Sequence, residues 1–258
     1  MAATNTRNTA ITARAEPAGL VDLHCHLLPG IDDGPQGLDE ALEMARLAVA
    51  EGIARSMVTP HIHVGRWDND RKRIEAAAAA YRAALGDAGI SLEIGCAAEV
   101  RADYAVIQLV EEGRVPFLGA FGGKQVMLLE FPHGGVPVGS DKLVDWLLAH
   151  DVRPMIAHPE RNKDIMRDPA LLGAFVNAGC LVQITADALD GGFGARSREC
   201  AVEFLERGWV NVMASDAHDR VARPPRLSRG LAVARRLVGE AAAWEMVHGL
   251  PLRILGGA

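Results

Sequence analysis

The stretch LVDLHCHLLPGIDDG, residues 20–34, joins an apolar strand to a polar turn. Alternate side chains of a strand share a face, so Asp22, His24 and His26 are predicted on one face and Cys25 on the other. Two imidazoles on one face at a strand end can bind one metal ion. They can equally be hydrogen-bonded polar residues at the rim of a barrel, and the remaining chain has to decide between the two interpretations.

Size and composition fit one globular domain. The chain has 258 residues, of which 49% are hydrophobic and 23% charged, and its formal net charge of −6 gives a nucleic acid no basic surface to bind. Four cysteines without C-x-x-C spacing predict reduced structural thiols, which are typical of a cytoplasmic protein. Residues 1–19 are predicted to form a disordered N-terminal tail. No apolar run is long enough for a signal peptide or for insertion into a membrane.

From Leu20 onward, short apolar runs alternate with amphipathic helical patterns in about seven βα units. Apolar strands covered by amphipathic helices predict a parallel sheet that is buried on both faces. We therefore expect an α/β fold in which residues 20–258 form a distorted (β/α)7 TIM-like barrel. An open doubly wound sheet fits less well, because no G-x-G-x-x-G follows the first strand.

Metal-binding side chains recur at the carboxyl ends of the predicted strands, which form the catalytic face of parallel barrels. The sequence places there His24, His26, His61, Glu99, Glu130, His158, Asp216 and His218, together with the aspartate pair of the first βα turn. Imidazole and carboxylate ligands suit Mn²⁺, Fe²⁺ or Zn²⁺, and this set is large enough for two or three ions. Clustered metals suit hydrolysis at phosphorus, so a metal-dependent hydrolase is predicted.

The motifs DLHCH, TPHIH, AAE, LEF, AHPER and SDAH make the chain resemble the PHP (polymerase and histidinol phosphatase) superfamily. Within it, the chain is most similar to the metal-dependent protein-tyrosine phosphatases of bacterial capsule and exopolysaccharide loci. The resemblance covers residues 20–258 and implies a PHP-type catalytic barrel with up to three metals, often manganese. It selects Asp33 rather than Asp32 and implies the ligands His24, His26, Asp33, His61, Glu99, Glu130, His158, Asp216 and His218. Ile62 replaces a residue that is frequently polar, which leaves the role of His63 open.

Two arginines and one histidine are predicted to act on the substrate. Arg161 follows His158 by three residues, and Arg223 follows His218 by five, so both lie beside ligand motifs. A planar guanidinium can bind phosphate oxygens in a bidentate manner, and the resemblance implies this role for both arginines. His218 is predicted as a catalytic residue as well as a ligand.

Other polar residues near the strand ends receive supporting roles. Asp22 is predicted to orient a ligand imidazole, and Gln183 and Thr185 to shape the pocket. Cys25 is predicted to pack against the barrel wall. No cysteine is followed six positions later by arginine, so the phosphate loop of cysteine-dependent tyrosine phosphatases is absent.

The predicted reaction is therefore metal-dependent hydrolysis of a phosphomonoester, with Mn²⁺ as the expected cofactor. The resemblance implies phosphotyrosine in a protein as substrate, namely the tail of a membrane tyrosine kinase that controls polysaccharide export. Three alternatives stay open: a small-molecule phosphatase such as histidinol-phosphate phosphatase, an exonuclease-like PHP module, and a non-catalytic metal-binding regulatory module.

Overall fold

The first strand, β1 (Leu20–Cys25), is buried along its whole length, as the apolar run predicts. The structure, a computed structural model, describes residues 19–257, so all of the predicted tail except Gly19 lies outside the described residues. Nine further strands follow in this part of the chain. They are β2 (Ile53–Val58), β3 (His61–Ile62), β4 (Glu93–Cys96), β5 (Glu99–Arg101), β6 (Gly119–Phe121), β7 (Lys124–Glu130), β8 (Val152–Ala157), β9 (Leu181–Thr185) and β10 (Val212–Ala214).

Helices separate the parallel strands. They are α1 (Leu38–Ala50), α2 (Arg71–Asp87), α3 (Ala105–Glu111), α4 (Ser140–Ala149), α5 (Lys163–Arg167), α6 (Ala170–Ala178), α7 (Ala186–Leu189), α8 (Ala195–Glu206), α9 (Ser228–Val238), α10 (Glu240–Trp244) and α11 (Leu250–Gly256). A 3₁₀ turn covers Pro159–Arg161 and a π-helical turn covers Glu245–Gly249. The sequence pattern predicts helices over 38–51, 68–86, 103–113, 141–150, 169–178 and 196–207, within three residues of α1, α2, α3, α4, α6 and α8, whereas it does not predict α5, α7 and α11. Helix α2 begins where the Asp70 side chain accepts a hydrogen bond from the Arg73 N–H. None of the described helices is long and apolar enough to cross a membrane.

The strands form two sheets that are parallel except at one hairpin. One sheet has the order β1-β2-β4, and the other has the order β10-β9-β8-β7-β5-β3. The sheets approach each other where Cys25, at the end of β1, forms a bridge with Ala217, three residues after the end of β10. The hairpin of β6 and β7 is antiparallel and was missed by the sequence pattern. The parallel strands and their covering helices confirm the α/β class, whereas the count of seven units stays a prediction.

A proline separates the strand predicted over 53–59 from a short strand that the sequence pattern did not predict, β3. Pro60 has no N–H to donate to the ladder, and the first interruption separates β2 from β3 at this residue. The neighbouring strand, predicted over 92–99, divides into β4 and β5 at the same level. There the Ala97 N–H donates to Val58 O at 2.9 Å, and pairing resumes at His61 opposite Glu99. Both interruptions lie at the carboxyl ends of β2 and β4, next to the polar residues that follow the strands.

Apolar side chains fill both faces of the sheets. An inner cluster includes Val21 and Leu23 of β1, and Leu250 and Ile254 of α11 pack against it. A larger outer cluster lies between the strands and helices such as α1, which buries Ala41, Met44, Ala45 and Ala48. Both sheets are therefore covered by apolar side chains on their two faces. The polar residues that follow the strands are attached to this packed core.

Candidate metal centre

All nine predicted ligands lie at the carboxyl ends of the parallel strands. Their donor atoms form three groups, and within each group the atoms lie within 4.8 Å of one another. The groups are His26, Asp33, His61 and His218; His24, Glu99, His158 and Asp216; and His61, Glu99 and Glu130. Because His61 and Glu99 each belong to two groups, the three groups form one continuous cluster.

The first group surrounds the Asp33 carboxylate. Oδ1 of Asp33 lies 3.3 Å from Nε2 of His61 and 3.3 Å from Nε2 of His218. The ring of His26 packs against that of His218, with centroids 3.9 Å apart. Three imidazoles and one carboxylate therefore face the same small volume, and this donor set is typical of a transition-metal site.

The Glu99 carboxylate connects the other two groups. Its Oε1 lies 2.7 Å from Nε2 of His158, and its Oε2 lies 3.3 Å from Nε2 of His24 and 3.0 Å from Nδ1 of His61. Across the group, Oδ1 of Asp216 lies 3.2 Å from Nε2 of His24. A carboxylate whose two oxygens face different imidazoles has the geometry that a bridging ligand requires.

Three histidines have their Nδ1 atoms held by acceptor atoms that are not candidate metal donors. Nδ1 of His24 lies 2.9 Å from Oε1 of Gln183, and Nδ1 of His26 lies 2.6 Å from Oδ2 of Asp32. Nδ1 of His218 lies 3.0 Å from the backbone oxygen of Asp216. These contacts place the ring proton on Nδ1, so each Nε2 directs its lone pair into the cluster.

Two candidate ligands have a strained backbone. His158 has φ of 33° and Asp216 has φ of 51°, and Asp151 is the one other non-glycine residue in the described part of the chain with positive φ. This region is unfavourable for L-residues other than glycine and occurs preferentially at functional sites. Backbone hydrogen bonds hold both residues, from His158 N to Gln183 O and from Asp216 N to His24 O, each at 2.8 Å.

Two buried oxygens of the cluster have no hydrogen-bond partner among residues 19–257, the part of the chain that the structure describes. They are Oε2 of Glu99 and Oδ1 of Asp216, and each lies close to Nε2 of His24. A buried carboxylate oxygen without a donor is costly unless a cation compensates it. The donor set and these two oxygens therefore fit bound metal ions.

The pKa shifts of Glu99, Asp216 and His158 also fit cation binding. Burial alone would raise the pKa of Glu99, but the imidazoles of His24 and His61 hold this pKa well below its ordinary value. Burial likewise opposes ionisation of Asp216, yet the Arg161 guanidinium holds the pKa of that carboxyl well below its ordinary range. Burial, assisted by Arg161, lowers the pKa of His158 to about 3. Ionised carboxylates and a neutral imidazole are the forms that bind metals.

Arg161 and Arg223 meet on the carboxylate of Asp216. An NH2 group of Arg161 lies 2.5 Å from Oδ2 of Asp216, and Arg223 contacts the same oxygen. The two arginines also line the cavity of about 240 Å³ that opens onto the cluster. The structure thus brings both predicted arginines to the cluster of candidate ligands, although they lie on different loops.

Aromatic and histidine side chains surround the cluster. Trp67 stacks on His61 with centroids 4.6 Å apart, and the ring of His133 stacks on His158 at 5.6 Å. His133 is 56% exposed and lines the cavity. His63 belongs to none of the three groups and instead packs edge-on against Trp67.

The supporting role predicted for Asp22 is wrong. Its carboxylate accepts hydrogen bonds from the backbone N–H and the hydroxyl of Ser215, while Gln183 contacts the imidazole of His24. The register of β1 against β2 shifts between Asp22 and Cys25, so strict alternation of faces does not hold there. Cys25 is buried and its thiol donates to Met57 O, as expected for a packing residue.

Sequence reasoning missed two contacts of this site. The family resemblance selected Asp33 over Asp32 as the ligand, and no other role was predicted for Asp32. In the structure, however, the Asp32 carboxylate contacts Nδ1 of His26 and orients its ring. Sequence reasoning also overlooked Phe193, whose ring lies 4.7 Å from Cζ of Arg161 and 5.8 Å from Cζ of Arg223. The aspartate pair was the available signal for the first, whereas no local pattern identifies the second.

Comparison with known proteins relates this geometry to a family. Residues 20–256 match the family described as "Capsular polysaccharide synthesis, CpsB/CapC". The chain is 34% identical over 206 residues to the tyrosine-protein phosphatase YwqE of Bacillus subtilis (strain 168), with 78% of each chain covered.

Solved structures agree with this assignment. The crystal structures of YwqE from Bacillus subtilis and CpsB from Streptococcus pneumoniae, described as unique metal-dependent tyrosine phosphatases, match with a TM-score of 0.85 and 30% identity, covering 92% of this chain and 94% of the matched chain. The organophosphorus hydrolase of Deinococcus radiodurans, at 15% identity and a TM-score of 0.58 over 93% and 94% of the two chains, shares the fold alone. The chain therefore belongs to the CpsB/CapC family.

Proposed function

We propose that this chain is a metal-dependent phosphatase that hydrolyses phosphotyrosine in proteins. The observation that carries the proposal is the juxtaposition of the metal cluster with two arginines, which share the Asp216 carboxylate. Family membership and the similarity to YwqE support the same activity. Imidazole and carboxylate donors without thiolate fit two or three ions of Mn²⁺, Fe²⁺ or Zn²⁺, and the resemblance to the PHP superfamily favours Mn²⁺, which is the proposed ion.

Nine residues are proposed as ligands: His24, His26, Asp33, His61, Glu99, Glu130, His158, Asp216 and His218. When bound, the metals supply Lewis-acid activation and neutralise charge on the attacking and leaving oxygens. Glu99 is proposed to bridge, since its two oxygens face different imidazoles. Both ring nitrogens of His218 are engaged, with Asp216 O and with Asp33, so we favour its role as ligand over proton transfer.

Arg161 and Arg223 are proposed to bind the phosphate group. In both side chains the terminal NH2 nitrogen contacts Asp216, and both arginines line the cavity next to the candidate ligands. Each arginine therefore keeps donors for phosphate oxygens at the edge of the metal cluster. We propose that Asp216 contacts both the metal ligands and the phosphate-binding arginines, because its Oδ1 faces His24 and its Oδ2 accepts from the arginines.

Three finer proposals follow from the same observations. The parallel pairings and the contact between β1 and the segment after β10 support a closed, distorted (β/α)7 barrel. Four free cysteines support a reducing, cytoplasmic location. The capsular polysaccharide family supports the tail of a membrane tyrosine kinase as the protein substrate.

Comparing substrates on one preparation tests the function. Protein reconstituted with Mn²⁺ is assayed with a phosphotyrosine peptide, a phosphoserine peptide and histidinol phosphate, with and without a chelator. We expect hydrolysis of the phosphotyrosine peptide to be fastest, to stop after chelation and to return with Mn²⁺. Faster hydrolysis of histidinol phosphate would identify a small-molecule phosphatase, and activity that survives chelation would overturn the metal-dependent mechanism.

A further inference from the structure

The loop between α7 and α8 carries one large apolar side chain among glycines. Phe193 lies between Gly192 and Gly194 and is half-buried. Gly194 has φ of +88°, in the left-handed region, and a Cβ on Gly192 would lie 3.1 Å from the backbone oxygen of Asp187. Asp187 is itself held by two hydrogen bonds from Arg226, at 3.1 and 2.9 Å. The loop that carries the phenyl ring is thus anchored and shaped by glycine.

The phenyl ring contacts two arginines from two other loops. Cζ of Arg161, which follows β8, lies 4.7 Å from the centroid of Phe193, and Cζ of Arg223, which follows β10, lies 5.8 Å from it. Every other aromatic ring of the described chain that contacts a guanidinium contacts only one, as Phe121 does with Arg153. Phe193 is therefore a shared contact of the two arginines, and Asp216 is the other.

A neutral ring has a chemical advantage at this place. The face of an aromatic ring attracts a guanidinium by its quadrupole, yet it accepts none of the in-plane N–H hydrogen bonds. A carboxylate at position 193 would occupy those donors and repel a phosphate dianion. With Phe193, the guanidinium groups of Arg161 and Arg223 contact no acidic residue of the described chain other than Asp216, and both arginines line the cavity. The pair of arginines is held in place while its donors remain available.

We propose that Phe193 is a positioning residue that holds Arg161 and Arg223 together for the phosphate group of the substrate. The proposal rests on the proposed function in so far as the arginines bind phosphate. It predicts that Phe193 affects phosphate binding only through the two arginines and leaves the metal ligands unaffected. Tyrosine keeps the aromatic ring, so Phe193→Tyr should preserve phosphate binding. Leucine keeps the apolar bulk but has no ring quadrupole, so Phe193→Leu should weaken phosphate binding.

Binding of inorganic phosphate to the Mn²⁺-loaded protein tests this role by titration calorimetry. Phe193→Leu should raise the Kd for phosphate about three- to tenfold, as expected for losing one or two cation–π contacts. Phe193→Tyr should stay within about twofold of the original protein. The matched control is Phe121→Leu, which removes a ring 5.6 Å from Cζ of Arg153, outside the residues that line the cavity. Bound Mn²⁺ is measured in every variant and should not change.

A second comparison separates positioning from a general structural effect. In protein that carries both Arg161→Ala and Arg223→Ala, adding Phe193→Leu should weaken phosphate binding no further. An equal loss in that background, or an unchanged Kd for Phe193→Leu in the original protein, would overturn the proposal. Phe193→Met serves as the second variant if the leucine variant fails to fold. Absence of phosphotyrosine hydrolysis by the original protein would overturn the proposed function, whereas the phosphate titration tests Phe193 independently of that result.

Discussion

Replacing Asp32 with asparagine changes one atom at the edge of the proposed metal site. Oδ2 of Asp32 lies 2.6 Å from Nδ1 of His26 and accepts the His61 N–H at 3.1 Å, while Oδ1 accepts the Gly34 N–H at 3.0 Å. If the asparagine oxygen stays with Gly34, its NH2 group faces two donors. His26 can then move its proton to Nε2, the atom that faces Glu99, and that nitrogen is lost to a metal.

The expected magnitude follows from this proton shift. Removing the outer partner of a ligating histidine typically lowers metal affinity about ten- to a hundredfold. At about 1.4 kcal/mol for each factor of ten, the loss is about 1.4–2.8 kcal/mol. The net value of a hydrogen bond to a charged group, about 1.5–3 kcal/mol, leads to the same range. The alternative amide orientation leaves the Gly34 N–H facing a donor instead and therefore also costs free energy.

Equilibrium dialysis against Mn²⁺ measures the effect. The midpoint of Mn²⁺ binding to Asp32→Asn should move to about ten- to a hundredfold higher concentration, with full occupancy still reached at saturation. Asp39→Asn, on the exposed side of α1, is the matched control and should not move the midpoint. An unchanged midpoint for Asp32→Asn would refute the orienting role, and permanent loss of one ion would show that Asp32 is itself a ligand.

Four further outcomes are expected. Glu99→Gln should lower both bound Mn²⁺ and activity, and full metal occupancy in this variant would contradict the bridging role. Arg161→Ala should lower turnover about ten- to a hundredfold, from the loss of about 1.5–3 kcal/mol, with bound metal unchanged; loss of metal would contradict the phosphate role. Cys25→Ser should keep most of the activity towards a phosphotyrosine peptide, because burial raises the pKa of this thiol well above its ordinary value and its Sγ contacts Met57 O; an inactive but folded and metallated variant would contradict a metal mechanism. Burial raises the pKa of Cys180 to about 12, above about 8.5 for an unfolded thiol, so the free energy of unfolding should fall with pH above about 9, by at most about 1.4 kcal/mol per pH unit. Cys180→Ala should remove this part of the decline in denaturant titrations at pH 8 and pH 10, and an equally steep decline would contradict the assignment.

The sequence by itself determined the fold class and the location of the site. Apolar runs that alternate with amphipathic helices require a sheet that is covered on both faces, and the structure has it. Because parallel strands align their carboxyl ends, polar residues that follow successive strands must meet, even when they lie as far apart in sequence as His24 and His218. Periodicity and strand direction are local properties of the chain, so they can be read without the tertiary structure.

Only the tertiary structure decided how neighbouring polar residues divide their roles. Asp32 points to Nδ1 of His26, whereas Asp33 faces His61 and His218, and spacing alone cannot separate two adjacent carboxylates in a turn. A shift of register in β1 turns Asp22 away from the imidazole that it was predicted to orient, and Gln183, 159 residues from His24, takes that place. Phe193 likewise contacts its two arginines because three separate loops converge. Contacts of this kind depend on how remote segments pack, and no local pattern in the chain encodes that packing.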